Sequence, residues 1–284
     1  MANVVFARRI CDVLKFDRSN ILAPDLRAAM AKKFVWCVNT PGKYEHFEAM
    51  ESDRSDAVAR SFKEPIDGYL FSPELTWATG RNQLYDHVRS GGYEYIIFTD
   101  DDAVFDGMPQ HEGFRRFEAL LDEYNPLIAS PRYSWHLIGG HLDLSRRVQG
   151  LIAASGCMTA LRKDCWWALL PYWSEFDYFS WWNAEHICNR VAIVLWHGAT
   201  VHFNEIKIDN TRVGTYPSAD KCRSADALML EMLRPEWKHM VWPHNSPESL
   251  TSPPVVLRES YPLSLNEAGR YFDLTHRYWQ GRHP

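Results

Sequence analysis

No C-x-x-C pair occurs among the six cysteines (Cys11, Cys37, Cys157, Cys165, Cys188 and Cys222). That spacing argues against a thiolate zinc site and predicts a reduced, cytoplasmic setting. No apolar run approaches the roughly 20 residues of a membrane-spanning helix, and no basic, apolar, cleavable leader opens the chain. Neither a transmembrane segment nor a secretory signal is therefore expected. Internal repeats and low-complexity tracts are absent too, which sets aside a repeat architecture. Positive charge is also in short supply. A formal net charge of -5 over 284 residues speaks against a general nucleic-acid binder, which needs a basic surface.

What the chain has is enough length for a sizeable core, ordinary hydrophobic (46%) and charged (24%) fractions, and many aromatics: 12 Trp, 13 Tyr and 14 Phe. Most of these belong in a core, with some available for a flat ligand surface. Residues 1–33 carry seven Lys/Arg against three Asp. Weak peripheral contact with an anionic membrane is one reading of that segment, and a solvated helix packed on the domain is the preferred one.

From residue 34 the pattern alternates. Phe34–Asn39 reads as a first buried strand, residues 43–60 as a helix, and Gly68–Phe71 as a second strand. Asn82–Val88 has helical spacing and stops at Gly91-Gly92. The strand Tyr95–Thr99, a helix over 112–124 and the strand Leu127–Ser130 follow. Such alternation implies an α/β fold with a mostly parallel central sheet flanked by helices. Beyond residue 134 the expectations are a long surface loop (134–149), a strand pair within Leu151–Leu161, and a Trp-rich stretch helical at both ends (164–190). The domain reading is an N-terminal helical segment (1–33), a catalytic domain (34–234) and an irregular, proline-rich C-terminal extension (235–284). The extension is expected to form an acceptor surface or a homodimer interface.

The chemistry is concentrated at the end of one strand. Tyr95-Ile96-Ile97-Phe98 is apolar on both faces, hence central, and it delivers Asp100, Asp101 and Asp102 to the carboxyl edge, where open α/β sheets bind ligands. Three adjacent carboxylates repel unless a cation or hydrogen-bond donors compensate. Hard oxygen ligands suit Mg²⁺ or Mn²⁺. Extended geometry would put Asp100 and Asp102 on one side and Asp101 on the other. The competing reading is a polar strand end that caps the next turn.

The segment from Gly80-Arg81-Asn82-Gln83-Leu84 through Phe98-Thr99-Asp100-Asp101-Asp102-Ala103-Val104-Phe105 resembles the GT-A class of nucleotide-sugar glycosyltransferases, with their D-x-D motif. The likeness spans roughly residues 34–215, is specific over about 80–105, and is weaker over 150–205. It implies a GT-A-like (Rossmann-like) fold, a nucleotide-sugar donor (UDP-sugar preferred), a carbohydrate or glycan acceptor and inversion. Asp102 would be the direct metal ligand, and Asp100 would contact the ribose or the metal through water. Arg81 and Asn82, at a helix start on the ligand side, would favour phosphate. Asn39, Thr40 and Tyr44 would form the base loop, with Tyr44 as a stacking partner. Ser155 and Gly156 match the small-residue strand beside the donor sugar.

For the base, the resemblance points to Glu185, with Asp177 as fallback. This chain departs from the family pattern there, because the second acid of the usual pair is absent and His186 follows Glu185. Trp181 and Trp182, with Trp173 and Tyr178, are candidates for an acceptor platform. His202, expected after a late strand, is the candidate third metal ligand, preferred over His197. Lys207 and Arg212 would close over the diphosphate as a lid. Each of these residues also has a plain structural reading: core aromatic, surface ion pair or solvated carboxylate.

Three rivals use the same chain differently. Asp100-Asp101-Asp102-Ala103-Val104 also fits the D-x-D-x-[TV] strand of haloacid-dehalogenase-type phosphatases, with Asp100 as nucleophile and Asp102 as acid/base. That reading lacks a later acidic pair. A non-catalytic carbohydrate-binding protein explains the Trp content but not a buried strand ending in three acids. A sugar-nucleotide pyrophosphorylase would need a fuller Gly-rich, basic loop than Thr40-Pro41-Gly42-Lys43.

Overall fold

The computed structural model describes residues 32–133, 144–150, 154–178, 181–196, 199–211, 223–241 and 264–282. Among these, one sheet contains β1 (Phe34–Thr40), β2 (Ser55–Ser61), β3 (Leu70–Phe71), β4 (Tyr95–Asp100), β5 (Ala103–Asp106), β6 (Ile128–Tyr133), β7 (Val148–Gly150), β8 (Met158–Arg162) and β9 (Thr200–Asn210). The helices are α1 (Phe47–Met50), α2 (Trp77–Val88), α3 (Gln110–Tyr124), α4 (Trp166–Leu169), α5 (Trp181–Trp196), α6 (Arg223–Met232) and α7 (Leu265–Ala268). The strand order is β3-β2-β1-β4-β8-β6-β9-β5, with β7 also paired to β9.

β1 and β4 are apolar on both faces because both faces are covered. Val35, Cys37, Ile96 and Phe98 pack with residues of α2 and α5 on one side. Phe34, Trp36, Tyr95 and Ile97 pack with Phe114, Phe117, Leu120 and Leu121 of α3 on the other. Much of the aromatic content is spent here. Edge-on pairs such as Trp36–Phe114, with ring centroids 4.8 Å apart, fill the second layer, a geometry that aromatic quadrupoles favour.

The α/β expectation holds, and antiparallel strands join the parallel ones in the same sheet. β1, β2, β3 and β4 run parallel, as do β6 and β9. β8 is antiparallel to both β4 and β6, and β5 and β7 are antiparallel to β9. A parallel return needs a crossover, usually a helix. Among the described residues between β6 and β8 no helix supplies one.

Other elements also differ from expectation. Residues 43–60 are not one helix. After the short α1, the Ser52 hydroxyl accepts from the Arg54 and Ser55 N–H groups and turns the chain into β2. Ala192–Trp196, apolar enough to read as a strand, is the last turn and more of α5, buried against the sheet and neighbouring helices. Of the expected strand pair within Leu151–Leu161, the described residues give β8, and residues 151–153 lie outside them. The N-terminal segment 1–31 lies outside the described residues. Residues 264–282 pack on the domain: Tyr278 and Trp279 join its core, and the Arg282 guanidinium donates to the carbonyls of Ala168, Leu170 and Pro171. Among the described residues no helix is long and apolar enough to cross a membrane.

Candidate active site

β4 ends at Asp100, in register with Asn39 of β1. Chain order turns back on itself between these two strands, which makes this edge the topological switch point where open α/β sheets bind ligands. α2 lies across that edge. Thr76 caps it through reciprocal hydrogen bonds with Thr79, and the Asp177 carboxylate accepts from the Ala78 N–H at 2.8 Å. Gly80 sits against Asn39 so closely that a Cβ there would overlap the Asn39 amide. That contact sets the depth of the helix and carries the next residue, Arg81, down onto the strand end.

Arg81 lies in the second turn of α2, not at its start, so it acts as a side-chain cation rather than as part of a helix terminus. It is buried (2% exposed). Its Nη2 donates to Asp100 Oδ1 at 2.7 Å and to the Gly156 carbonyl at 2.5 Å. The Trp77 ring lies beneath the guanidinium at 4.0 Å. Glu185, in the second turn of α5, closes the group from the other side. It approaches Gly156 so nearly that any Cβ there would overlap its carboxylate, and it accepts from the Gly156 N–H and the Asn189 amide. Trp77, Arg81, Gly156, Tyr172, Glu185 and Asn189 line the same narrow cleft.

Burial dominates the electrostatics. It pushes Asp100 up to about 6, with Arg81 opposing and Asp102 and Asp101 adding to the rise. It pushes Glu185 up to about 7, with Arg81 opposing and Asp100 adding. Two carboxylates that share one guanidinium titrate as a coupled set. Carboxyls poised near neutrality in a cleft are what acid/base chemistry requires.

For a divalent cation the donor set is Asp100 and Asp102. Among the described residues no cluster of three or more His, Cys, Asp or Glu is placed to hold an ion. Hard cations bound with substrate phosphates need only one or two carboxylates. Asp102 adds to the rise that burial gives Asp100, so the two acids stand near one another, and an all-oxygen pair of this kind would suit Mg²⁺ or Mn²⁺. His202 does not complete the shell. It lies inside β9, between Ser130 and Gln149, eight residues before Asn210, which pairs with Ala103. At ~3.3 Å per residue, less a bulge, that is roughly 20 Å from the acids.

The remaining expectations divide. Asp177 is a helix cap rather than a poised base. Lys207 is a strand residue whose ammonium is 2.5 Å from Asp106, not part of a lid; Arg212 and His197 lie outside the described residues. Tyr44 is buried, edge-on to His46, and its hydroxyl pKa is raised by burial and then by Asp101 and Glu45. It thus borders the acidic turn. Thr40 is buried, and its carbonyl accepts from the Phe62 N–H. The Ser155 N–H donates to Ser130, and the Ser155 hydroxyl accepts from the Cys157 N–H, which shapes the turn that presents Gly156. Trp173 stacks on Tyr278 at 4.9 Å, covered by the C-terminal segment; the side chains of Tyr178, Trp181 and Trp182 lie outside the described residues.

Sequence reasoning missed Tyr172 and Asn189. Asn82 holds the Tyr172 backbone through a two-point amide contact (2.7 and 2.6 Å). Asn189 holds Ala154 in the same way (3.1 and 3.4 Å). Asn82 was visible beside Arg81; no local signal reveals its partner ninety residues away.

No protein-family profile and no curated protein matches the sequence. Solved structures resemble the chain distantly. A197 from STIV is 13% identical, over 66% of this chain and 91% of that one, with a TM-score of 0.35. TarS of S. aureus is 11% identical, over 70% of this chain and 40% of that one, at 0.42. Glucosyl-3-phosphoglycerate synthase from Mycobacterium tuberculosis, in complex with phosphoglyceric acid, is 11% identical, over 76% and 85%, at 0.41. At this distance the chemistry has to be read from the site's own residues.

Proposed function

We propose that this chain is a glycosyltransferase that moves a sugar from a nucleotide-diphosphate donor to a carbohydrate hydroxyl. The observation that carries the reading is one buried guanidinium, Arg81, flanked by Asp100 at the strand end and Glu185 across the cleft, with both carboxyls raised toward neutrality. In this reading Arg81 and the acidic turn orient the donor diphosphate, and Asp102 with Asp100 would hold Mn²⁺ or Mg²⁺. When bound, such a cation offsets charge that develops on the departing diphosphate.

Glu185 is the base. A carboxylate with a pKa near 7 takes the acceptor's hydroxyl proton as its oxygen bonds to the anomeric carbon, and the bond from that carbon to the diphosphate oxygen breaks. One displacement of this kind inverts the anomeric centre. Gly156 contributes by having no side chain, which lets Glu185 reach over the donor edge. The phosphatase alternative is less well served, because an Asp100 nucleophile would have to leave the guanidinium that holds it at 2.7 Å.

The test is turnover of Glu185→Gln with donor binding measured in parallel. We expect binding retained and transfer reduced at least a hundredfold, the size of a general-base contribution. Near-wild-type transfer with donor bound would remove Glu185 as base.

A further inference from the structure

Arg60 is the penultimate residue of β2. It is fully buried, yet Nε, Nη1 and Nη2 all lack a hydrogen-bond partner. Burial lowers its pKa, with no acidic neighbour acting against it. A buried, unpaired guanidinium is strongly destabilising unless a ligand completes it. Its place in the sheet indicates which ligand. Arg60 is in register with Asn39, and Asn39 with Asp100; residues opposite one another in a parallel pair share a face. Arg60, Asn39 and Asp100 therefore form one row along the carboxyl edge of β2, β1 and β4. Asn39 Oδ1 is buried without a partner as well. At ~4.8 Å per strand, Arg60 stands roughly 10 Å from the acids. That backbone separation suits the base of a nucleotide whose diphosphate lies by Asp100.

We propose that Arg60 reads the donor's nucleobase and selects one with two adjacent acceptors, N7 and O6 of guanine or N3 and O2 of cytosine. This rests on the glycosyltransferase reading and replaces the uridine preference with which the sequence began. The guanidinium fork has only donors. Guanine offers it N7 and O6 side by side, whereas adenine places an amino donor next to N7. Uracil sets an N–H between its two carbonyls, which leaves the fork a single acceptor.

The experiment is calorimetry of the full chain with GDP, CDP, UDP and ADP, each with Mn²⁺, on wild type and Arg60→Met. In wild type we expect GDP or CDP to bind at least about tenfold more tightly than UDP and ADP, the size of a bidentate base contact. In Arg60→Met all four should fall within about threefold, and the ligand-free protein should melt higher, because an unpaired buried charge has gone. A merely structural arginine would lower the melting point instead. Tightest binding of UDP or ADP by wild type, or a base preference that survives in Arg60→Met, overturns the proposal. If Arg60→Met does not fold, Arg60→Gln carries the same comparison. Equal binding of all four by wild type defeats base selection alone, while no binding of any defeats the glycosyltransferase reading with it.

Discussion

Replacing Glu185 by Gln should make the protein more stable in alkali while it stops working. The side chain stands at about 7 in the folded protein against an ordinary 4.5. A raised carboxyl means that the folded state keeps its proton where the unfolded chain has already lost it. The contribution to stability is full below about 4.5 and is lost as pH climbs through about 7. At ~1.4 kcal/mol per pH unit, the ionised carboxylate costs on the order of 1–3 kcal/mol at pH 8, with Arg81 offsetting part of the burial. Gln has the shape of the protonated acid and cannot ionise. Urea titrations of wild type and Glu185→Gln at pH 5, 6, 7 and 8 should give similar stabilities at pH 5 and a gap in favour of the variant that widens to 1–3 kcal/mol by pH 8. A gap that does not grow with pH, or a variant less stable than wild type at pH 8, would refute the buried, raised carboxyl.

Arg81→Met should leave Asp100 and the Gly156 carbonyl without their partner, cost about 3–5 kcal/mol in chemical denaturation, and abolish donor binding in calorimetry. Gly156→Ala should push the Glu185 carboxylate aside, so steady-state kinetics should show turnover down tenfold or more with donor KM nearly unchanged. Asp177→Ala removes a hydrogen bond to the Ala78 N–H and should cost about 1–2 kcal/mol as a lost helix cap. Its transfer rate per folded molecule should stay close to wild type, a result that separates a cap from a base.

How much of this could be read from sequence depended on whether the deciding interaction was local. β1 and β4 were legible because burial on both faces leaves an unbroken apolar run, and three acids after such a run mark a sheet edge. Arg81 with Asp100 was legible for the same reason, with the segment from Gly80 through Phe105 supplying the resemblance. β2 was not. Ser55-Asp56-Ala57-Val58-Ala59-Arg60-Ser61 carries helix-compatible residues, and it becomes a strand because it pairs with β1 and β3. The run Ala192–Trp196 failed the other way: a helix buried all round looks like a buried strand over five residues. The antiparallel insertion of β8 depends on a long connection with no periodic signal.

Site residues follow the same division. Glu185 could be proposed from its helix, but its pairing with Gly156 and Arg81 is a product of packing. Asp177 looked like a free acid until α2 was placed against it. His202 looked like a residue after a strand, and in fact lies within one, far from the acidic turn. Arg60 gave no signal in the sequence, since only the fold shows a guanidinium buried with nothing to bind.

The measurement that tests the central claim most directly is release of nucleoside diphosphate from a panel of UDP-, GDP-, CDP- and ADP-sugars, with Mn²⁺ and a saccharide acceptor, by wild type and by Asp102→Ala. The account predicts acceptor-stimulated release from at least one donor, lost with the metal chelated and reduced at least tenfold in Asp102→Ala. No release from any donor, or release that is indifferent to both the chelator and Asp102, would contradict it.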